Sequence, residues 1–183
     1  MTRDGIIANH FPFQIDPDPP PFGKLRGHMA RANSLWRDFS PDIEALVIFQ
    51  GPDSYISPSW YPTKSSSGEV VPTWNYAVVH AHGLLRIIDD RAWLREFVTR
   101  LTSRHEAGRS DPWKVADAPP GFIDKQLGAI VGIEIPVTRM LGKWKVSQNR
   151  LPQDRDGAVE GLLQESSDSA AAMADLVRQY KDK

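Results

Sequence analysis

The stretch TWNYAVVHAHGLLRII, residues 73–88, decides the fold class of this chain. It is rich in Trp, Tyr, Val and Ile, which favour strands, and it contains no proline. Gly83 lies inside it, and a glycine within a strand is typical of a bulge or a bend. The stretch therefore predicts the longest strand of the chain, with a bend at Gly83.

Segments on both sides of this strand predict further strands and flanking helices. Residues 24–31 predict a strand, and the apolar run ALVIF at residues 45–49 favours a buried strand because it is short and β-branched. Asp89 is the predicted N-cap of a helix that runs to about His105, with apolar residues at helical spacing.

The remaining patterns complete an α+β prediction. Residues 14–23 are predicted to form a loop, because four of them are prolines and proline is excluded from helix interiors and inner strands. The other predicted elements are a short helix at 33–39, a helix at 122–131, strands at 133–137 and 143–148, and a C-terminal helical extension at about 154–182. Strands in the middle with helices around them predict a single domain over residues 1–183, built on a mainly antiparallel sheet or barrel.

Composition excludes several classes of function. The formal net charge of −1 gives no global surplus of Lys and Arg, so contact with DNA would need a local basic patch. The absence of cysteine excludes disulfides, thiolate metal sites and cysteine nucleophiles. No apolar run approaches the ~18 residues of a membrane span. Residues 1–10 lack the apolar core of a signal peptide, which predicts a cytoplasmic protein without membrane partners.

Three strand-like stretches carry an unusual density of aromatic and polar residues: 51–61, 71–76 and 142–150. An ordinary sheet face would carry Val and Ile at these places. Taken singly, each stretch is explained by aromatic residues in the core and polar residues facing solvent. Taken together, they provide one coherent set of groups for binding a planar, phosphorylated ligand.

The chemistry of these residues matches such a ligand. Trp and Tyr offer flat surfaces to a planar ring. Lysine, arginine and serine can meet a phosphate, and the available cations are Arg31, Lys64, Lys143 and Lys145. Side-chain amides both donate and accept hydrogen bonds, which suits the pyrimidine-like edge of a flavin, and they are supplied by Asn75, Gln148 and Asn149.

Other chemistries have weaker patterns. His80 and His82 share one face of a strand, with His28 a possible neighbour, and predict either a metal site without a third ligand of fixed spacing or a hydrogen-bonded pair. Ser57 and Ser59 lack the context of a nucleophile elbow, and no phosphate-binding glycine loop is present. The arginines at positions 91, 95, 100 and 104 are mixed with acids and predict a solvated helix face.

The combination of motifs resembles the PaiB family of FMN-binding negative transcriptional regulators. The matching stretches lie in the family's order and cover nearly the whole chain: residues 8–13, 27–33, 49–52, 55–61, 71–76, 130–132 and 145–150. The resemblance implies a flavin-nucleotide-binding split β-barrel of Greek-key type with flanking helices, a homodimer, and FMN at the interface between the two barrels.

The resemblance and the residue chemistry together give a set of predicted FMN-binding residues. They are His28, Arg31, Asn33, Tyr55, Ser57, Trp60, Lys64, Trp74, Asn75, Lys143, Lys145, Ser147, Gln148 and Asn149. In the predicted dimer, residues 143–150 of one chain meet residues 55–61 or 71–76 of the other.

The chain departs from the family pattern at three places. Asp53 stands where the family often has histidine, and Ser34 stands where proline is common. The helix and first strand that usually precede the 8–13 motif are also missing. We therefore expect residues 5–13 to lie at an unpaired sheet edge after a hairpin turn at residues 2–5, and a natural protein that starts further upstream.

Three functions stay open at this level. The family label implies a flavin-linked repressor and, through that label alone, DNA as a partner. The same fold also fits a flavin reductase or oxidase in which bound FMN carries the redox step. A binding protein for FMN or haem is the third, with His28, His80 and His82 as conceivable haem ligands.

Overall fold

The chain was analysed as a computed structural model, which describes Thr2 and residues 5–180. The described residues form seven strands and six α-helices. The strands are β1 Gln14–Asp16, β2 Lys24–Ala30, β3 Ala45–Ile56, β4 Thr73–Gly83, β5 Arg86–Ile88, β6 Ile130–Pro136 and β7 Arg139–Lys145. The helices are α1 Leu35–Asp38, α2 Thr63–Ser66, α3 Arg91–Glu106, α4 Pro120–Gly128, α5 Pro152–Gln164 and α6 Asp168–Gln179.

The strands form two separate sheets. One has the order β1-β2-β6-β5 and its neighbours are antiparallel, with His28 of β2 opposite Gly132 of β6. The other has the order β3-β4-β7. The predicted α+β class, with antiparallel sheets and flanking helices, is confirmed. No helix among the described residues is both long and apolar enough to cross a bilayer.

The chain divides into two compact units. Unit 1 comprises Met1–Val47 and Ala81–Met140, and unit 2 comprises Ile48–His80 and Leu141–Lys183. In unit 1, buried side chains of β2 and β6 form one cluster around Met29 and Val131. A second cluster joins Leu94 of α3 to Leu127 of α4, which explains why the apolar stripe of α3 recurs at helical spacing.

Unit 2 has its own core, built mainly from the two C-terminal helices. Leu162 of α5 and Met173 of α6 are fully buried there with Ile56 and Val146, which lie at or near strand ends. Gly161 allows α5 to approach Trp60, because a Cβ added there would lie 2.1 Å from the indole ring. The predicted C-terminal extension is therefore two packed helices, with Ser167 capping the second.

The stretch that decides the fold class contains two strands instead of one. β4 ends at Gly83, and β5 belongs to the other sheet. A Cβ at Gly83 would lie 2.1 Å from the carbonyl oxygen of Pro136, so only glycine permits this close approach. The predicted bend is thus the point at which the chain changes sheets.

Helix boundaries differ from prediction for identifiable reasons. Asp90, and not Asp89, caps α3 by accepting a hydrogen bond from the Trp93 amide at 2.7 Å. The helix predicted at 122–131 ends at Gly128, because Ile130 and Val131 join β6, where Val131 is fully buried.

Strand boundaries differ as well. The 45–49 run starts a strand, but it is not a buried one: Leu46 is 49% and Ile48 57% exposed, since β3 is an edge strand. Part of the predicted proline loop forms β1, an edge strand that ends before Pro17. Ser147 and Gln148 fall in a turn after β7 and not in the predicted strand.

The segment predicted to be an unpaired sheet edge has no strand over residues 6–13, and the edge strand of this sheet starts at Gln14. Phe11 and Phe13 pack against buried residues of unit 1 and hold the segment as an extended loop. Thr2 and Gly5 exchange backbone hydrogen bonds of 2.8 and 3.2 Å, as a hairpin turn requires. Residues 3 and 4 of the predicted turn lie outside the described residues.

Candidate functional site

The predicted ligand residues are distributed over both units. His28, Arg31 and Asn33 belong to unit 1, and the other eleven belong to unit 2. Each group is described within its own unit.

All three guanidinium nitrogens of Arg31, in unit 1, donate hydrogen bonds to other groups of the protein. Two of its nitrogens bind the carboxylate of Asp89 at 2.9 and 2.5 Å, and the group also donates to the carbonyls of Gly128 and Ile130 at 3.0 and 3.2 Å. The hydrogen bond raises the pKa of Arg31 and lowers that of Asp89. In this arrangement Arg31 ties three segments together and presents little donor capacity to a phosphate.

His28 and Asn33 also have local structural roles. His28 packs edge-on against Phe97, with 5.8 Å between ring centroids, and its Nδ1 atom is buried without a hydrogen-bond partner among the described residues. Burial lowers the pKa of His28 because the charged imidazolium is poorly solvated there. Asn33 accepts from the Leu35 amide at 2.9 Å and donates to Asn9 at 2.8 Å, which fixes the start of α1.

Three predicted residues of unit 2 and Thr73 form two polar pairs on β4 and on β7 with the turn after it, which we call the β4–β7 polar pairs. The Lys145 ammonium donates to the Thr73 hydroxyl at 2.6 Å, and the Asn75 amide donates to the Ser147 hydroxyl at 2.9 Å. Thr73 and Asn75 are two residues apart on β4 and therefore share one face of that strand. Both pairs come from the three stretches that the sequence singled out.

Asn75 is the buried centre of this arrangement. Its side chain is fully buried, and its Oδ1 atom has no hydrogen-bond partner among the described residues. Rotating the amide by 180° would leave the nitrogen unpaired instead, because Ser147 offers one hydroxyl only. Either way one polar atom remains unsatisfied, which is costly in a protein interior unless a ligand or a water completes it.

Ser147 holds an unusual backbone conformation at the same point. Its φ angle is +60°, in the left-handed region that side-chain-bearing residues rarely adopt. Gln148 fixes the turn by accepting from the Val146 amide at 2.8 Å and donating to the Trp144 carbonyl at 2.7 Å. Gln148 therefore positions Ser147, and exposed Asn149 follows it in the turn. Strained residues of this kind concentrate at ligand sites.

The positive charge of this region is not neutralised by ion pairing. Lys145 is half-buried, and among the described residues its ammonium bonds a neutral hydroxyl and no carboxylate. Lys143 lies over the Tyr76 ring at 5.7 Å from its centroid. An ammonium group without an acidic partner retains its capacity for an anionic ligand, in contrast to Arg31.

Aromatic residues of unit 2 lie exposed beside one another. Tyr55 and Trp74 are 47% and 51% exposed, and their rings meet at 62° with 6.3 Å between centroids. Asp53, the residue that departs from the family pattern, accepts from the Trp74 indole at 3.1 Å and from Gln50 at 2.7 Å. Asp53, which stands where the family often has histidine, thus fixes the orientation of the exposed Trp74 ring.

The remaining predicted residues form a separate local cluster at the turn after β3. The Ser57 hydroxyl caps a single 3₁₀ turn by accepting from the Ser59 amide at 3.1 Å, and Lys64 donates to the Ser59 hydroxyl at 3.2 Å. Trp60 packs against α5 through the glycine contact described above. Trp60 and Ser57 therefore have clear structural roles, while exposed Lys64 has capacity for an anion.

Sequence reasoning missed Thr73 and Asp154. Thr73 lies two residues before Asn75, so period-two spacing alone places both on one face of β4. Asp154 is buried and accepts from both the amide and the hydroxyl of Thr63, at 3.2 and 2.9 Å. No local signal marks it, because its partner lies 91 positions away along the chain.

The histidines give no metal cluster. His82 belongs to unit 1, where its Nδ1 atom lies 3.1 Å from Arg139, and His80 belongs to unit 2. Within Thr2 and residues 5–180, no three His, Cys, Asp or Glu side chains are placed to share a metal ion.

Comparison with known proteins identifies related sequences over most of the chain. The profile of a family described as "Putative FMN-binding domain" matches residues 1–139. The Bacillus subtilis protein named "Protease synthase and sporulation protein PAI 2" is 35% identical over 93% of this chain and 79% of its own length. An uncharacterized protein of Emericella nidulans is 34% identical over 97% of this chain and 84% of its own length.

A solved structure shares the fold at low sequence identity. The flavocytochrome Anf3 of Azotobacter vinelandii superposes with a TM-score of 0.51 at 14% identity. The match covers 79% of this chain and 58% of Anf3, so this chain spans less than two thirds of that protein. At this identity the likeness is one of fold alone.

The residues present fit a flavin nucleotide. An ammonium without an acidic partner and a hydroxyl at Lys145 and Thr73 suit a phosphate. A buried amide atom without a partner at Asn75 suits a polar ring edge, and exposed Tyr55 and Trp74 suit a planar ring.

Proposed function

Because the chain belongs to the PaiB family of FMN-binding proteins, we propose that the β4–β7 polar pairs hold FMN and that the loaded protein is a cytoplasmic, dimeric negative regulator of transcription. The observation that carries the site is the buried Oδ1 atom of Asn75, which has no partner within Thr2 and residues 5–180, together with the Lys145 ammonium, which has no acidic partner there.

The residues have separate tasks in this proposal. Lys145 supplies positive charge and Thr73 a hydroxyl to the phosphate, while Lys143 adds long-range attraction. Asn75 and the Ser147 hydroxyl select the polar edge of the ring through buried hydrogen bonds. When bound, FMN would supply one- and two-electron redox chemistry, and the protein would position the ring and limit its contact with water.

A regulatory role is supported by a relative and not by a DNA-binding surface. The Bacillus subtilis relative is named for protease synthesis and sporulation. The net charge of −1 gives little non-specific attraction to DNA, and Arg95 of α3 is paired with Asp124 at 2.6 Å. In this proposal, DNA therefore binds to a local surface that changes when FMN binds or changes its redox state.

The proposed homodimer is supported by exposed apolar side chains of unit 2. Ile48, Tyr55, Trp74 and Leu141 are each 47–57% exposed on the strands of one sheet. Large exposed apolar patches on soluble proteins typically mark interfaces. In the proposed dimer, residues 143–150 of one chain meet residues 55–61 or 71–76 of the other. Sedimentation should give a dimer at micromolar concentration, and a monomer would contradict this part of the proposal.

The regulatory proposal is tested by selecting sequences from a random DNA pool with FMN-loaded and FMN-free protein. We expect the loaded protein to enrich a defined motif that the FMN-free protein does not enrich. NADH and NADPH oxidation is measured on the same samples. Rapid turnover without enrichment of any motif would reject the regulator and favour a flavin oxidoreductase.

A further inference from the structure

A cavity of about 270 Å³, open to solvent on one side, lies in unit 1, and none of the residues assigned to FMN above borders it. It is bordered by the edge strand β1, by Arg26 of β2, and by Arg100 and Arg104 of α3. A cavity of this volume has room for several waters or one small molecule.

The lining carries a surplus of positive charge. Three guanidinium groups face one carboxylate, that of Asp16. Arg26 is largely neutralised, because it lies 3.4 Å from Asp16 and 3.1 Å from Glu134. The surplus therefore rests on Arg100 and Arg104.

Arg100 and Arg104 share one face of α3, and few acidic groups neutralise their positive charge. Residues four apart on a helix are neighbours, and like charges at this spacing destabilise it. Arg100 has a loose ion pair of 3.7 Å with the highly exposed Glu96. Arg104 has no ion-pair or hydrogen-bond partner among the described residues. Both arginines are exposed, as the sequence predicted, and both also border the cavity.

Gln14 gives a second, independent indication of a ligand. It is 95% buried and borders the same cavity, and its Oε1 atom accepts from Arg100 at 3.3 Å. Arginine has donors only, so this contact fixes the orientation of the amide. The Nε2 donor is then left buried without an acceptor among the described residues. Gln14 therefore brings to the lining of the cavity an amide donor whose hydrogen bond the described residues leave unmade.

We propose that this cavity binds a small organic carboxylate through Arg100, Arg104 and the Gln14 amide. Guanidinium groups bind carboxylates in a bidentate geometry, and an amide N–H adds a directional hydrogen bond. Asp16 and Glu134 offset two of the three guanidinium charges, so the lining suits an anion with a single charge. No residue that borders the cavity is among those assigned to FMN.

Calorimetric titration of the FMN-loaded protein tests the proposal, with sodium acetate, phosphate and chloride compared at equal ionic strength. We expect acetate to bind with a Kd of about 1 mM or lower, and phosphate and chloride to bind more weakly. Arg104→Gln should raise that Kd at least about tenfold, since it removes a charged hydrogen bond. Arg104 has no described partner to lose, so the variant should fold normally.

Arg95→Gln is the matched control, because Arg95 lies on the same helix but does not border the cavity. Its Kd should equal that of the original protein. Gln14→Leu should weaken carboxylate binding, and carboxylate should shift the Gln14 side-chain amide resonance in NMR spectra. The proposal fails if no carboxylate binds, if phosphate binds as tightly, or if the Arg95 variant loses binding equally.

Discussion

Arg31 of unit 1 and Lys145 of unit 2 look equivalent as predicted phosphate ligands, but their polar atoms have different partners. Arg31 donates to a carboxylate and two carbonyls. Lys145 donates to one neutral hydroxyl. The difference teaches that a cation with a full set of internal partners is part of the scaffold, whereas one without an acid retains capacity for a ligand.

The same contrast separates the buried polar groups of the two units. His28 is surrounded by aromatic and apolar neighbours and is favoured in its neutral form. Both His28 Nδ1 and Asn75 Oδ1 are buried without a hydrogen-bond partner among the described residues, but only Asn75 bonds another residue of the proposed FMN site. Three substitutions test whether this contrast separates structural from ligand-binding residues.

The largest effect is expected from Lys145→Ala on FMN affinity. Losing a charged hydrogen bond of about 1.5–3 kcal/mol should raise the Kd for FMN about 10- to 150-fold. Riboflavin lacks the phosphate, so any binding of riboflavin should change little. Titration calorimetry measures both ligands, and Lys125→Ala on the exposed side of α4 is the matched control. An unchanged FMN affinity in the Lys145 variant would remove this residue from the site.

An intermediate effect is expected from Arg31→Met, on stability instead of affinity. The variant loses a partly exposed ion pair and leaves two carbonyls without a donor, so we expect unfolding free energy to fall by about 1–2 kcal/mol. The midpoint of thermal unfolding should drop by about 2–8 °C for a chain of this size. FMN affinity should stay within error. If Arg31→Met weakened FMN binding more than Lys145→Ala does, Arg31 and not Lys145 would be the main phosphate ligand.

The smallest effect is expected from His28→Leu, and it depends on pH. Burial lowers the folded-state pKa of His28 below its ordinary value, so the unfolded chain takes up the proton first as pH falls. The stability linked to neutral His28 is complete above an unfolded pKa of about 6.5 and is lost as pH falls through the folded pKa, with a slope of at most about 1.4 kcal/mol per pH unit.

Denaturant titrations between neutral and mildly acidic pH check this expectation. The leucine variant should lack the part of the slope that belongs to His28, and its affinity for FMN should not change. If the two proteins share one pH profile, the proton of His28 does not contribute to folding. If the variant loses FMN, His28 is a ligand and not a core residue.

Much of the fold is predictable because it depends on local patterns. The strand at 24–30, residues 133–136 of β6 and the helix at 91–106 follow from periodicity, which is a property of neighbouring residues. The exchange of sheets at Gly83 is not predictable in this way. It results from a contact with Pro136, far away along the chain, that only a residue without a side chain allows.

Part of the candidate site was likewise predictable from the sequence, and part was not. Residue chemistry singled out Asn75 and Lys145, and the resemblance to the family added Ser147. Sequence could not distinguish them from Arg31 or Trp60, because that distinction depends on which partners a folded chain supplies. Nor could it find the cavity beside Arg104, whose lining comes from three separate segments.

The sequence by itself therefore determined the α+β class, the principal strands and helices, and a set of groups suited to a flavin nucleotide. The tertiary structure decided which of these groups are already satisfied by the protein and which remain unpaired. The physical reason is that hydrogen-bond satisfaction and burial arise between residues distant in sequence, such as Asn75 with Ser147, and no local pattern specifies them.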